Sequence, residues 1–473
     1  MSTRDPFMQS LELQALSHVI ASTKVDLESL LKRQSKNYTA AYEEYRRRYN
    51  AEPPPGFEAW YEFAAAHQSR IIDDFDTIFD SISPFWRFSG KGVITTCRTP
   101  NRQAARRFGR NPSRPHFLVN HLDEPRVLAA PQSFKGGDSY GKGQFKVTDI
   151  SRRPSWDAIT KFCTSQQRDR SARPKHEAET FGLPFVTDPF LALDLCRHPK
   201  YSGMHALVMG PTSFYLIESL VPMLSTGSPS TMGDLLFPSL AYMQSEFQYD
   251  EAHDVEWDRK QNNIYWAGSS TGGFAIDDQW RHYQRQRSVK LAQNLERQQH
   301  YYLRERGGVV HRVKSSFLNS RLFDAAFTRI LHCERKYCRD QSAYFNVKSW
   351  ADKDRALRSR LVYDTDGNGI SGRYYKLLAS KPVPLKQTLF QEWHDERLVP
   401  WVHYVRVSQG MEEVPELVFY LTSTEAGQQR AKEIAEQGRD WFSRAFRDID
   451  LSIYTYRLLL ELARLQDPER QAS

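Results

Sequence analysis

Asn263-Ile-Tyr-Trp-Ala-Gly-Ser-Ser-Thr-Gly-Gly273 and Leu361-Val-Tyr-Asp-Thr-Asp-Gly-Asn-Gly369 share one plan, a short apolar run that ends in a glycine-rich loop. Each run has the length of a buried strand, and a helix is expected after the second loop, from Ser371 to Leu378. Pro384–Phe390 reads as a third strand. Strands that alternate with helices and glycine turns predict an α/β architecture with parallel sheets. Glycines let backbone amides approach a phosphate, and a helix N-terminus adds unpaired N–H groups. Gly268, Ser269, Ser270, Thr271 and Gly272 in the first loop, and Asp366, Gly367, Gly369 and Ser371 in the second, are therefore candidate nucleotide-binding residues. Arg373, read in the first turn of the second helix, adds a forked cation. One glycine cluster is usually just a tight turn. Two in one half-chain, with an arginine beside one, point to a phosphorylated ligand.

Working outward, four segments are expected. Residues 1–56 form a helical extension, 57–250 a first Rossmann-like domain, 251–440 the nucleotide-binding one, and 441–473 a C-terminal helix and tail. Residues 8–50 read as polar helix, stopped by the proline run Pro53-Pro-Pro55. Phe57–Phe79 reads as one amphipathic stretch, with Trp60, Phe63, Ala64, Ile71, Phe75 and Phe79 on its apolar side. His116–Asn120 reads as a buried strand and Pro184–Leu195 as a turn leading into a helix. Gly427–Leu465 is expected to be helical, with breaks near Gly438 and Asp448.

The chain has 473 residues, 40% of them hydrophobic, which fits a globular protein of two or three core-bearing domains. No apolar run approaches the roughly 18–20 residues of a spanning helix, and Met1–Asp5 opens no signal-peptide pattern. That leaves a cytosolic protein or one whose anchor has been removed. A net charge of +8 is ordinary for a basic enzyme. The clusters Arg102–Arg114 and Arg168–Arg173 read as solvated loops without nucleic-acid motifs, so no nucleic-acid partner is expected. Five cysteines show no zinc spacing. They are free thiols in a reducing compartment, or two bridges and a leftover thiol in an oxidising one, with Cys333–Cys338 closing a short loop.

Asp364-Thr-Asp366-Gly-Asn368-Gly369 opens like a calcium loop, but its twelfth position is Tyr375 rather than a bidentate Glu. Its Asp-x-Asp spacing also occurs in metal-dependent sugar transferases. The longer blocks carry more weight. Asn263–Gly273, Tyr363–Tyr375 and Leu385-Lys-Gln-Thr-Leu-Phe-Gln-Glu-Trp-His-Asp-Glu-Arg-Leu-Val-Pro-Trp-Val-His-Tyr404 together resemble glycosyltransferase family 90, the capsule-associated, KTEL-motif group of protein O-glucosyltransferases and fungal xylosyltransferases. Leu122–Val127, Asp194–Cys196, Gly438–Trp441 and Tyr456–Glu461 fit as well. The resemblance runs from about Phe57 onward and is nearest the fungal branch.

That resemblance implies a GT-B-like fold, two Rossmann-like domains facing across a cleft, and an inverting transfer from a UDP-sugar to a glycan or protein hydroxyl. It implies the Golgi lumen as location, although no anchor is present in this chain. It makes Asp123 the catalytic base, Arg373 the diphosphate arginine, Gly268 and Ser269 the nucleotide loop, and Glu392 a ribose-binding residue. No metal ligand is assigned. No cofactor is expected to be required, with Mn²⁺ on Asp364 and Asp366 as the alternative. Arginines that flank the first-loop glycine in animal relatives are Ala267 and Ser270 here, and the C-terminus has no ER-retention signal. Both details argue against an animal-like protein acceptor.

Without the resemblance, Asp123 would read as a turn-capping residue before Pro125, and Glu124 as an equal candidate acid. Arg373 would read as a surface salt-bridge residue. Trp266, Trp393 and Trp401 are expected in the core, and His394 and His403 as structural. The rival functions are a glycosidase, which needs two carboxylates across a cleft and no diphosphate cradle, and a catalytically inactive glycan- or nucleotide-sugar-binding protein of the same fold.

Overall fold

The computed structural model describes residues 25, 27–98, 106–107, 116–128, 145–163, 178–180, 183–306, 309–349 and 352–472. The basic stretch 168–173 lies outside these residues, as does 102–114 apart from Arg106 and Arg107, and so does the start of the expected N-terminal helix.

Two sheets organise the described chain. The first has the order β1 (Arg106–Arg107), β2 (Leu118–Val119), β3 (Met223–Ser225), β4 (Leu235–Leu236). β1 pairs antiparallel with β2, and the other pairings are parallel. These strands are only two or three residues long, shorter than a regular Rossmann-like half would have. The second sheet is entirely parallel and comprises β5 (Gln261–Ser269), β6 (Phe323–Arg329), β7 (Ser359–Thr365), β8 (Val383–Gln387) and β9 (Val405–Arg406). Its order is β6-β5-β7-β8-β9. The central strands β7 and β8 are buried on both faces, as parallel strands covered by helices must be. Ile264, Trp266, Phe327, Leu361, Tyr363, Val383, Leu385 and Val405 meet Leu417, Leu421 and Ile434 of the covering helices in one core. The mixed α/β reading with a parallel sheet therefore holds.

A second core joins the two ends of the chain. Helices Tyr38–Tyr49, Phe57–Ala66 and Asp76–Ile82 pack with the last helix, Asp448–Leu465. Trp60 Nε1 donates to the Ile453 carbonyl at 3.0 Å, and Tyr45 donates to Glu461 at 2.9 Å. The expected single stretch Phe57–Phe79 is two helices, because the chain turns at Gln68, whose φ is +55°.

Near the C-terminus the break expected at Gly438 is absent. Helix Glu425–Ala445 runs straight through it. A Cβ on Gly438 would lie 2.4 Å from the His403 carbonyl oxygen, so this glycine allows a close approach and does not stop the helix. The break near Asp448 is real, with the final helix starting there. Cys163–Cys196 and Cys333–Cys338 are disulfide-bonded, and Cys97 is buried. Among the described residues no helix is long and apolar enough to cross a membrane.

Candidate functional site

In the parallel sheet the chain leaves β5 for β6 on one side and then returns to β7 on the other. The carboxyl ends of β5 and β7 thus flank the point where strand order reverses, the usual ligand crevice of an open α/β sheet. Both glycine loops emerge there. Ser269 ends β5, and Thr365 ends β7.

The helix after the second loop starts later than the expected Ser371. No helix begins directly after the first loop, because a 3-10 turn (Asp278–His282) intervenes and the helix starts only at Gln284. The second helix spans Tyr374–Ala379, with Arg373 as its N-cap and not in its first turn. From that position Arg373 reaches back across the crevice, and its Nη1 donates to the Ala267 carbonyl at 2.7 Å. A Cβ on Gly268 would stand 3.1 Å from Arg373 Nη2 and 3.0 Å from the Trp266 ring, so glycine there gives the guanidinium room. Gly272 adopts φ +134°, a region that side chains rarely enter.

A second arginine lies beneath both loops. Arg285 Nε donates to the Asp366 carbonyl at 2.7 Å, and its Nη1 donates to Thr271 Oγ1 at 2.7 Å and to the Ser269 carbonyl at 3.1 Å. Burial, with the neighbouring Arg373 charge, pulls this guanidinium down to about 9, so it remains charged at neutral pH. The charges of Asp364 and Asp366 act on these arginines, but the hydrogen bonds described for both guanidinium groups go to backbone carbonyls and to the Thr271 hydroxyl.

The remaining candidates in the loops have protein partners. Ser269 and Thr271 hydroxyls are 3.0 Å apart. The Ser270 hydroxyl is turned to the chain leaving β6, donating to the Leu331 carbonyl and accepting from its N–H. Ser371 donates to Asp364, whose other oxygen is buried without a partner, and burial raises this carboxyl to about 6. Asp366 accepts from the Leu389 N–H at 2.7 Å and pairs with His205 Nε2 at 3.2 Å. Since His205 Nδ1 accepts from the Leu207 N–H, Nε2 carries the proton toward Asp366. The two aspartates thus face different partners. No group of three or more His, Cys, Asp or Glu side chains that could hold a metal ion occurs among the described residues.

Glu392 does not open into this crevice. It is 1% exposed and accepts from Lys386 Nζ at 2.6 Å and from the Tyr242 hydroxyl. Burial pushes its carboxyl up, but Lys386, His394 and these hydrogen bonds outweigh it and leave the group below its ordinary value. His394, His403, Trp266, Trp393 and Trp401 are all buried. His403 stacks on Trp441 and accepts from the Val399 N–H, as a structural histidine does.

Asp123 arrives from the first sheet. Asn120, just after β2, bonds the Glu124 carbonyl through Nδ2 and accepts from the Leu122 N–H, which shapes the turn between them. At that turn Asp123 is exposed whereas Glu124 is buried. Glu124 accepts from the Ser213 N–H at 3.0 Å, and burial raises its carboxyl to about 7. The two neighbouring acids are therefore not equivalent, and only Asp123 faces open space. Its turn abuts the second glycine loop, where a Cβ on Gly369 would lie 2.3 Å from the Asp123 carbonyl oxygen. Asn368 Nδ2 approaches Asp123 Oδ2 at 3.4 Å.

Residues 243–472 match the family model described as glycosyl transferase family 90. That stretch, just under half of the chain, supports its recognition as glycosyltransferase family 90. The match suggests glycosyltransferase activity, the movement of a sugar from a donor to an acceptor. The matched residues contain β5 to β9, both glycine loops, Arg285, Arg373 and Glu392, while Asp123 lies upstream of them. Sequence reading overlooked Arg285, Asn368, Thr212 and His205. An arginine in Gln284-Arg-Gln-Arg287 looks like a solvated helix face, and only the fold shows it closing beneath two loops that are far apart in sequence.

Proposed function

We propose that the protein is an inverting glycosyltransferase that moves xylose or glucose from a UDP-sugar to a hydroxyl of a glycan or protein acceptor. The carrying observation is the pair of guanidinium groups, Arg285 and Arg373, hydrogen-bonded to carbonyls and a hydroxyl between the glycine loops. Asp364 and Asp366 balance part of this charge at longer range, but guanidinium N–H groups outside an ion pair favour an anion, and a nucleoside diphosphate fits a crevice at the strand-order reversal. Positive charge fixed there offsets the charge that develops on the departing diphosphate, at no cost of reorganisation during the reaction.

In this reading the two sheets are the two halves of a GT-B-like enzyme, with donor on the second and acceptor on the first. Asp123 takes the acceptor proton while the acceptor oxygen attacks the anomeric carbon from the face opposite UDP. Its exposure and its position against the donor loop support that role. Two disulfides suit an oxidising compartment, in keeping with the Golgi lumen.

The test is a titration of the purified protein with UDP, UDP-glucose and UDP-xylose by calorimetry, with the anomeric linkage of the product read by NMR. Measurable UDP binding and a β-linked product from an α-linked donor are expected. Absence of UDP binding would sink the donor assignment, and an α-linked product would overturn the inverting mechanism.

A further inference from the structure

One amide connects the donor loop to the acceptor-side carboxylate. Asn368 Oδ1 accepts from Thr212 Oγ1 at 2.9 Å and from the Gly272 N–H at 3.2 Å. Two donors on that oxygen fix the orientation of the amide, so Nδ2 must point the other way, and it points at Asp123 Oδ2, 3.4 Å away. Thr212 has a single proton, and it goes to Asn368. The 3.2 Å contact between Thr212 Oγ1 and His332 Nδ1 is then one in which His332 donates. Asn368 is thus tied to both glycine loops at once, belonging to the second and accepting from the first. The main chain adds a separate constraint, since Gly369 leaves no space for even a methyl group against the Asp123 carbonyl.

We infer that Asn368 is a positioning residue that holds the Asp123 carboxylate in register with the donor. This rests on the reading of Asp123 as the base. The amide donates one hydrogen bond to the carboxylate and leaves its second oxygen free to take the acceptor proton. A 3.4 Å contact is long for such a bond, so this positioning requires the amide to close on the carboxylate during the reaction. Because Asn368 is carried by the donor loops, ordering those loops around a diphosphate also orders the base. Among the described residues, His332, from the chain after β6, and Glu124, its buried neighbour, interact with the Asp123 charge, and Arg152 and Arg285 act on the same His332. Burial holds the His332 imidazole below its ordinary value, against the pull of Asn368 and Asp123. With Nδ1 donating to Thr212, the neutral His332 ring has no N–H left for Asp123, and the Asn368 amide is the donor that reaches it.

The experiment compares Asn368→Ala, Asn368→Asp and Asp123→Asn in the full chain, with UDP-glucose and UDP-xylose as probes, UDP release as turnover and UDP calorimetry as binding. In Asn368→Ala kcat is expected to fall about 10- to 100-fold, the cost of a misplaced reacting group, while UDP affinity stays within about two-fold of the original. Asn368→Asp keeps the size and the acceptor oxygen but sets a second carboxylate beside Asp123. A like charge disfavours the ionised form. The acidic limb of kcat/KM therefore moves to higher pH, by about one unit. An unchanged kcat in Asn368→Ala, or an unmoved acidic limb in Asn368→Asp, with Asp123→Asn inactive, overturns the inference and leaves the base reading intact. Loss of UDP binding in both Asn368 variants assigns the amide to the donor loop instead and also overturns it. Normal turnover in Asp123→Asn removes the base reading, and this inference with it.

Discussion

Arg373 and Arg285 sit in the same crevice, but they differ in what their removal would disturb. Arg285 is 7% exposed and its donors are spread over the Ser269, Thr365 and Asp366 carbonyls and Thr271, so its loss would loosen both loops at once. Arg373 is half-buried and spends one nitrogen on a single carbonyl, which leaves Nη2 directed over Gly268. It is the cleaner probe of the proposed anion site. Removing a charge-assisted contact to a phosphate costs about 1.5–3 kcal/mol, roughly a 10- to 150-fold rise in Kd. Arg373→Ala is expected to weaken UDP binding by that factor while its unfolding midpoint stays close to that of the parent. Lysine at the same position should recover only part of the affinity, since it cannot present a planar fork. A folded Arg373→Ala protein that binds UDP as tightly as the parent would show that the diphosphate lies elsewhere.

At the scale of elements, the sequence was most legible where strands are long and apolar. The three strands read around Ile264, Val362 and Leu385 are all present and all parallel, because an apolar run closed by a glycine loop has few other ways to be buried. Helix limits were less legible, since glycine carries two opposite meanings. In the loop after β5 it permits a left-handed backbone, as at Gly272; in helix Glu425–Ala445 it permits contact, as at Gly438. Composition cannot distinguish the two, because the deciding atom, the His403 carbonyl oxygen, is distant in sequence. Gly438→Ala tests this directly. On helix propensity alone alanine would stabilise by about 1 kcal/mol. A Cβ placed 2.4 Å from a backbone oxygen has to push the helix off the segment that carries His403, and such overpacking costs about 1–3 kcal/mol. The expected net result is a lower midpoint in chemical denaturation, with Leu378, which packs at the same glycine, moving as well. An unchanged or raised midpoint would mean that the helix tolerates the methyl and that Gly438 is incidental.

For the whole molecule, the legible part of the crevice was its pair of glycine loops, each contiguous in sequence and each at the end of a parallel strand. Arg285, Asn368, Thr212 and His205 come together only through tertiary packing, and no periodicity marks them. Glu392 shows the converse: a carboxylate inside a specific sequence block that the fold seals against Lys386 and Tyr242. The same packing bears on metal dependence. A transferase that releases a nucleoside diphosphate must offset about two negative charges, either with a divalent ion held by carboxylates or with fixed cations. Here Asp366 is bonded to His205 and the Leu389 N–H, and Asp364 to Ser371. Arg285 and Arg373 supply two positive charges at the loops themselves. Sugar transfer from the UDP-sugar is therefore expected to persist in excess EDTA, within about two-fold of the rate with added Mn²⁺ or Mg²⁺; an uncompensated diphosphate would instead lose several kcal/mol of transition-state stabilisation. UDP affinity measured with and without Mn²⁺ should agree to the same degree. The decisive contrary result is turnover abolished by EDTA and restored by Mn²⁺, together with UDP binding that tightens when Mn²⁺ is added. That outcome would require Asp364 or Asp366 to leave its present partner when the donor binds, and would make the two arginines auxiliary to an ion.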